Sequence, residues 1–173
     1  MDRDAWQIMI DLETMSTSCI AGIMSIGAVK FKVTGEVETL CHIGVDLQSC
    51  MNVNMEVNAD TILWWLKQSK ENQERLIALP KVSLTVALQK MINSFNGLNK
   101  YGTCVWSHGS NFDIVILENA CKLVGIPIWW KYSNIRDTRT VFDIFGYKYT
   151  AKGGHDALDD ATSQAKAVIA ACN

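Results

Sequence analysis

WQIMIDL, residues 6–12, is the stretch on which the fold turns. Apolar residues occupy both of its alternating faces, so a strand here has no solvent side and belongs in the middle of a sheet. GIMSIGAVKFKV (22–33) and VETLCHIGVDL (37–47) carry two further strands, joined by the turn TGE. Short connections favour antiparallel neighbours, so the first three strands read as a meander.

Beyond residue 58 the pattern turns helical. ADTILWWLKQSKENQERLIAL (59–79) reads as one helix stopping near Pro80, and SLTVALQKMINSFN (83–96) as a second, with Ser83 as its cap. YGTCVWS (101–107) is a short buried strand. NFDIVILENACKLVG (111–125) is a helix with Asn111 as cap and Gly125 as terminator. IPIWW (126–130) reads as a fifth strand. KYSNIRDTRTVFDIFG (131–146) is ambiguous, with Asp137 placed to cap a helix. The last helix begins near Asp156, because Leu158, Ala161, Ala165, Val168 and Cys172 recur at three- and four-residue steps. The expected fold is α/β: one mixed five-stranded sheet, its first three strands antiparallel, flanked by helices and forming a single domain over residues 1–173.

Composition narrows the function. A content of 49% hydrophobic and 20% charged residues is that of a soluble globular chain. No apolar run reaches membrane-spanning length, so no membrane partner is expected. The opening MDRDAW lacks the basic-then-apolar layout of a signal peptide, and the six scattered cysteines show no C-x-x-C pair. Reduced thiols in a cytoplasm are the plain reading. A formal charge of -2 argues against coating nucleic acid by bulk electrostatics. Lys122, Lys131, Arg136, Arg139, Lys148 and Lys152 stand against only Asp137 and Asp143 in residues 122–152, which allows a local basic surface or simply a solvated face.

The chemistry gathers in separated stretches. In GGHDALDDA (153–161) a histidine and three aspartates follow two glycines. Gly153 and Gly154 suit a tight loop, Asp156 caps the helix, and Asp159 falls close to a capping-box position. Within one helix, His155 and Asp160 would splay apart by about 140°. With His155 on the loop they can share a site. Asp11 and Glu13, two residues apart on the first strand, point to the same face. Burying both unpaired is costly, and a divalent cation relieves that cost; alternatively the strand ends at Ile10 and the acids are exposed. Asp113 falls in the first turn of its helix, where an acid can simply complement the helix dipole; if the first and fourth strands are neighbours, it lies with Asp11 and Glu13 near the strand ends where α/β proteins gather their sites. Four carboxylates with no thiolate or imidazole cluster suit hard cations such as Mg²⁺ or Mn²⁺. Two such ions can clamp the attacking and leaving oxygens of a phosphodiester, and a neighbouring histidine can take the proton of the attacking water.

The order D-x-E, N-F-D, H-x-A-x-x-D resembles the DEDDh branch of the 3′→5′ exonucleases, relatives of the proofreading subunit of bacterial DNA polymerase III and of ribonuclease T. The resemblance implies a ribonuclease H-like sheet. It implies Asp11, Glu13, Asp113 and Asp160 as ligands of two Mg²⁺ or Mn²⁺ ions, and His155 as general base. The branch with tyrosine at the base position does not fit, since His155 occupies that place. TILWWLKQSKE (61–71) and IRDTRTVFDI (135–144) look like segments of the exonuclease VIII-like and phage exonuclease group, which includes mycobacterial exoribonuclease-like proteins. A phage or prophage origin rests on that likeness alone. By the same likeness, the main chain near Thr14 and Met15 and the ring of Phe112 line a terminal-nucleotide pocket.

Other contacts follow from residue type. Consecutive helical residues point about 100° apart, so one of Trp64 and Trp65 can lie in the core while the other stacks on a terminal base. Gln68, one turn beyond Trp64, can hydrogen-bond a nucleotide, and Arg136 or Arg139 can hold a phosphate or form a surface ion pair. The leading expectation is an exonuclease that releases nucleoside 5′-monophosphates from the 3′ ends of single-stranded DNA or RNA, with a homodimer left open. A nucleic-acid-binding module without catalysis and a hydrolase of small nucleotides are the alternatives.

Overall fold

The computed structural model describes residues 2–151 and 154–173. Gly153, half of the glycine pair expected before the last helix, and Lys152 lie outside the described residues. Strands β1 (Gln7–Thr14), β2 (Ile23–Phe31) and β3 (Val37–Val45) form the antiparallel meander, with Asp11 opposite Gly27 and Ile26 opposite Ile43. Helices α1 (Leu47–Met51), α2 (Ala59–Leu66) and α3 (Lys70–Ala78) follow, then the two-residue strand β4 (Lys81–Val82) and helix α4 (Leu84–Ser94). Strand β5 (Val105–Ser107), helix α5 (Asp113–Leu123), strand β6 (Ile135–Asp137) and helices α6 (Thr138–Phe145) and α7 (Ala157–Cys172) complete the chain. The sheet order is β4-β3-β2-β1-β5-β6. β5 runs parallel to β1 and β6 parallel to β5, so the sheet is mixed and β1 is central, as its two apolar faces require.

The sheet has six strands where five were expected. IPIWW is not among them. Trp130 is instead buried, donating Nε1 to Glu118 Oε1 at 2.9 Å, and Trp129 packs edge-on against Phe95. These rings seal the helical layer on one face, and the strand falls later, at Ile135–Asp137. The short edge strand β4 and helix α1 carried no clear pattern. The long helix expected over residues 59–79 is broken. Ser69 Oγ accepts from Asn72 N at 3.2 Å and restarts the helix, while Gln73 Nε2 donates to the freed carbonyls of Leu66 and Gln68 at 3.0 and 2.9 Å. Asp137 and Asp156 do cap α6 and α7. Asn111 does not cap α5; Phe112 holds that position without a side-chain bond.

Each face of β1 has its own core. Ile8, Ile10 and Leu12 pack with Leu88, Met91, Phe95, Ile116 and Leu117 beneath α4 and α5. Met9 packs on the other side with Trp106, Phe142, Ala161, Ala165 and Val168 beneath α6 and α7. Asp11 and Glu13 continue the Met9 row, so they face α7. That helix lies unusually low. A Cβ built on Gly27 would stand 2.2 Å from the backbone C and O of Ala157, so only glycine lets the first turn of α7 descend onto the sheet beside Asp11.

Candidate active site

Four acids and a histidine converge where β1 ends, α5 starts and α7 starts. β1 runs through to Thr14, so Asp11 and Glu13 are strand residues and not an exposed tail. Asp113 is the first residue of α5 and only 4% exposed; its Oδ1 accepts from Leu12 N at 3.3 Å. That bond ties α5 to the strand between the two β1 acids. Asp160 lies in the first turn of α7. His155 precedes the helix with φ 43°, a left-handed value rarely adopted by residues other than glycine, which swings its ring back toward the strand. Ligand atoms of Glu13, His155 and Asp160 all lie within 4.8 Å of one another.

The electrostatics are those of acids crowded out of water. Burial, then the charges of Asp113 and Glu13, hold Asp11 well above the usual carboxylate range, against the hydrogen bond from Gln164. Burial, then Asp160, Asp156 and Asp113, push Glu13 up to about 8. Burial raises Asp113 to about 7, opposed by backbone N–H groups and by Arg139. Asp160 is raised by burial and pulled back first by His155. The Ser107 hydroxyl is buried beside Asp113 without meeting hydrogen-bond geometry. A divalent cation suits this donor set of hard, mutually repelling carboxylate oxygens, none of which forms an ion pair with a lysine or arginine among the described residues. Asp11, Glu13, Asp113 and Asp160 are the candidate carboxylate ligands, and the ligand atoms of Glu13 and Asp160 already lie within 4.8 Å of each other.

Around the acids, the nucleotide-contacting candidates divide. Trp64 is 44% exposed and its ring meets that of His155 edge-on at 4.9 Å. Trp65, expected as an alternative stacking partner, is 5% exposed, and its Nε1 donates to Thr14 O at 3.0 Å. It is a buried prop under the segment after β1. Met15 O accepts from Asn58 N at 2.8 Å, and Thr14 Oγ1 donates to Ser16 O at 2.8 Å, so this segment is held from both sides. Phe112 is half-buried beside Asp113. Gln68 turns back to the carbonyl of Trp64 at 3.2 Å. Arg136 Nη1 donates to the carbonyls of Ser133 and Ile135, each at 2.8 Å, so it is committed to its own backbone. Arg139 is exposed, lies against Gly109 and acts electrostatically on Asp113. A polar groove of about 1080 Å³ runs from Asp160 between α3, residues 147–150 and α7, with Arg75, Lys148 and Lys166 on its walls.

The 3′-5′ exoribonuclease Rv2179c-like domain matches this sequence over residues 6–172, nearly its whole length. The chain belongs to that family. No curated protein sequence matches it. Among solved structures, the nuclease domain of 3′hExo, a DEDDh family member bound to rAMP, is 14% identical with a TM-score of 0.58, covering 98% of this chain and 92% of that one. The zinc-bound ExoI–ssDNA complex from E. coli is 12% identical with a TM-score of 0.62 over 94% of this chain, but this Rv2179c-like chain covers only 39% of it. S. pombe Pop2p with Mg²⁺ and Mn²⁺ bound is 13% identical with a TM-score of 0.57, covering 94% of this chain and 81% of that one. The likeness is one of fold, the ribonuclease H-like sheet of the DEDDh exonucleases.

Two further residues touch this site, Gln164 through Asp11 and Gly27 through Ala157. Gln164 and Gly27 carry no chemical signature, and each acts through a residue distant in sequence. Gln164 stood out only as an amide on a helix face otherwise built of alanine and valine.

Proposed function

We propose that this chain is a metal-dependent 3′→5′ exonuclease that removes nucleoside 5′-monophosphates from single-stranded 3′ ends. The convergence of Asp11, Glu13, Asp113, Asp160 and His155 carries this reading: four buried or half-buried acids that repel one another, open to solvent beside an exposed indole. Two divalent cations, Mg²⁺ or Mn²⁺, would neutralise the acids when bound and stabilise charge on the attacking and leaving oxygens of the phosphodiester. The four carboxylates hold the cations. Trp64 stacks on the terminal base, worth roughly 1–3 kcal/mol. The backbone at Thr14 and Met15, propped by Trp65 and Asn58, and the ring of Phe112 seat the terminal nucleotide. A ring nitrogen of His155 takes the proton from the attacking water, and its place on a loop ahead of α7 lets it reach that water while Asp160 stays on the helix. Arg139 pairs with a phosphate oxygen.

Unstacking a terminal base costs least in a single strand, so single-stranded or frayed ends are the preferred form. The name of the family points to RNA. The test is a time course on matched 5′-labelled RNA, DNA and blunt GC-rich duplex. Stepwise shortening of the single strands, RNA ahead of DNA, with the duplex spared, is the expected result. Equal rates on the duplex would remove the single-strand assignment, and internal cuts would remove exonuclease action.

A further inference from the structure

Gln164 is an outlier on its helix. The buried face of α7 is built of Ala157, Ala161, Ala165, Ala167 and Val168, and among them Gln164 is a primary amide only 4% exposed. Its Nε2 donates to Asp11 Oδ1 at 2.7 Å. Its Oε1 is buried and has no hydrogen-bond partner among the described residues. Burying an amide with one end unpaired is costly, and a leucine or methionine would fill the same space without that cost. The amide N–H, not Oε1, meets the Asp11 carboxylate oxygen.

Position matters as much as chemistry. Gln164 lies four residues, about one helical turn, beyond Asp160, on the same stripe of α7. The helix that presents Asp160 therefore also grips Asp11 across the gap to β1. Gly27, directly opposite Asp11 in the sheet, is what lets α7 come close enough to do so. One Asp11 oxygen is thus taken by the amide and the other is left to the acid cluster.

We infer that Gln164 is a positioning residue of the reaction: it fixes the rotation of the Asp11 carboxylate and couples it to Asp160, so that the two acids stand in register before a cation arrives. The inference rests on the reading of the cluster as a cation site. Groups that orient ligands in this way typically change metal affinity or activity by about 10–100-fold.

The experiment compares wild type with Gln164→Met and Gln164→Leu. Mn²⁺ affinity is measured by calorimetry without substrate, melting temperature in excess chelator, and kcat and KM on a single-stranded oligonucleotide. The expected result is a loss of Mn²⁺ affinity and of kcat by about 10–100-fold, with KM changed by less than about threefold. Melting in chelator should be unchanged or raised, because the orphaned amide oxygen is gone. Mn²⁺ affinity equal to wild type in both variants would overturn the inference while leaving the cation reading intact. A loss of affinity that tracks a fall in chelator-state melting, or failure of both variants to fold, would make Gln164 a structural residue and also overturn it. A wild-type protein that binds no Mn²⁺ would overturn this inference together with the reading beneath it.

Discussion

Glu13→Gln should stabilise the metal-free protein, and more so as pH rises. Glu13 is 8% exposed, and its pKa is raised from 4.5 to about 8, first by burial and then by Asp160, Asp156 and Asp113. A carboxyl whose folded-state pKa is raised contributes stability that is complete below the unfolded value. That stability is lost as pH rises through the folded value. For Glu13 the window therefore runs from about pH 4.5 to about pH 8. Across it, wild type pays for an acid that the unfolded chain would ionise freely. Linkage puts that cost at about 1 kcal/mol at pH 5 and about 3 kcal/mol at pH 7. Asp113, raised to about 7, and Asp11, raised well above its usual range, act in the same direction. The glutamine keeps the shape and removes the charge. In a chain of this size about 3 kcal/mol corresponds to roughly 6–12 °C in melting temperature, and a buried amide without partners takes back part of it. The assay is thermal unfolding of both proteins in excess chelator at pH 5, 7 and 8, then with saturating Mn²⁺. The variant should melt higher than wild type in chelator, with a gap that widens with pH. With Mn²⁺ the order should reverse, because the cation stabilises the protein that binds it better. A variant that melts lower than wild type in chelator at pH 8, or a gap independent of pH, would refute the repulsive cluster.

Three further predictions concern the surrounding residues. His155→Ala should lower kcat by roughly 10²–10⁴ and leave Mn²⁺ affinity within a few-fold, measured by steady-state kinetics and calorimetry; loss of cation binding would make His155 a ligand instead of a base. Trp64→Ala should raise KM and leave melting unchanged, whereas Trp65→Ala should cost about 3–5 kcal/mol of stability by emptying a buried site and freeing the Thr14 carbonyl. Comparable melting of the two variants would contradict the division between them. Gly27→Ala should destabilise by about 1–3 kcal/mol or more and weaken Mn²⁺ binding, since its new Cβ would meet the backbone of Ala157 and lift Asp160 with it; normal melting and binding would show that α7 tolerates the shift.

Much of this was legible in the sequence because it was local or periodic. The apolar run at residues 6–12 marked β1 as central, the caps Asp137 and Asp156 marked two helix starts, and the five motif residues are those that the structure brings to one place. What escaped was non-local. The break between α2 and α3 depends on Ser69 and on Gln73 reaching back to the carbonyls of Leu66 and Gln68, inside the wholly polar run KQSKENQER (67–75), whose good helix formers carry no glycine or proline to mark a stop. IPIWW has strand-like residues, but its tryptophans find Glu118 and Phe95 and not a neighbouring strand. Trp64 and Trp65 cannot be told apart by composition; Trp65 is the buried one because it packs with Met15, Met24 and Leu76 and donates to the carbonyl of Thr14. Gly27 and Gln164 matter through contacts more than a hundred residues away in sequence, which no spacing rule reports.

In the proposed reaction, divalent cations held by Asp11 and its companions drive removal of nucleotides from a 3′ end. The most direct measurement follows a 5′-labelled single-stranded RNA with Mg²⁺ or Mn²⁺, with excess chelator, and with Asp11→Asn in place of wild type. Shortening one nucleotide at a time, with nucleoside 5′-monophosphates released, is expected in the first case alone, while Asp11→Asn should melt at or above wild type in chelator. Full activity in excess chelator, or in Asp11→Asn, would contradict the proposed reaction.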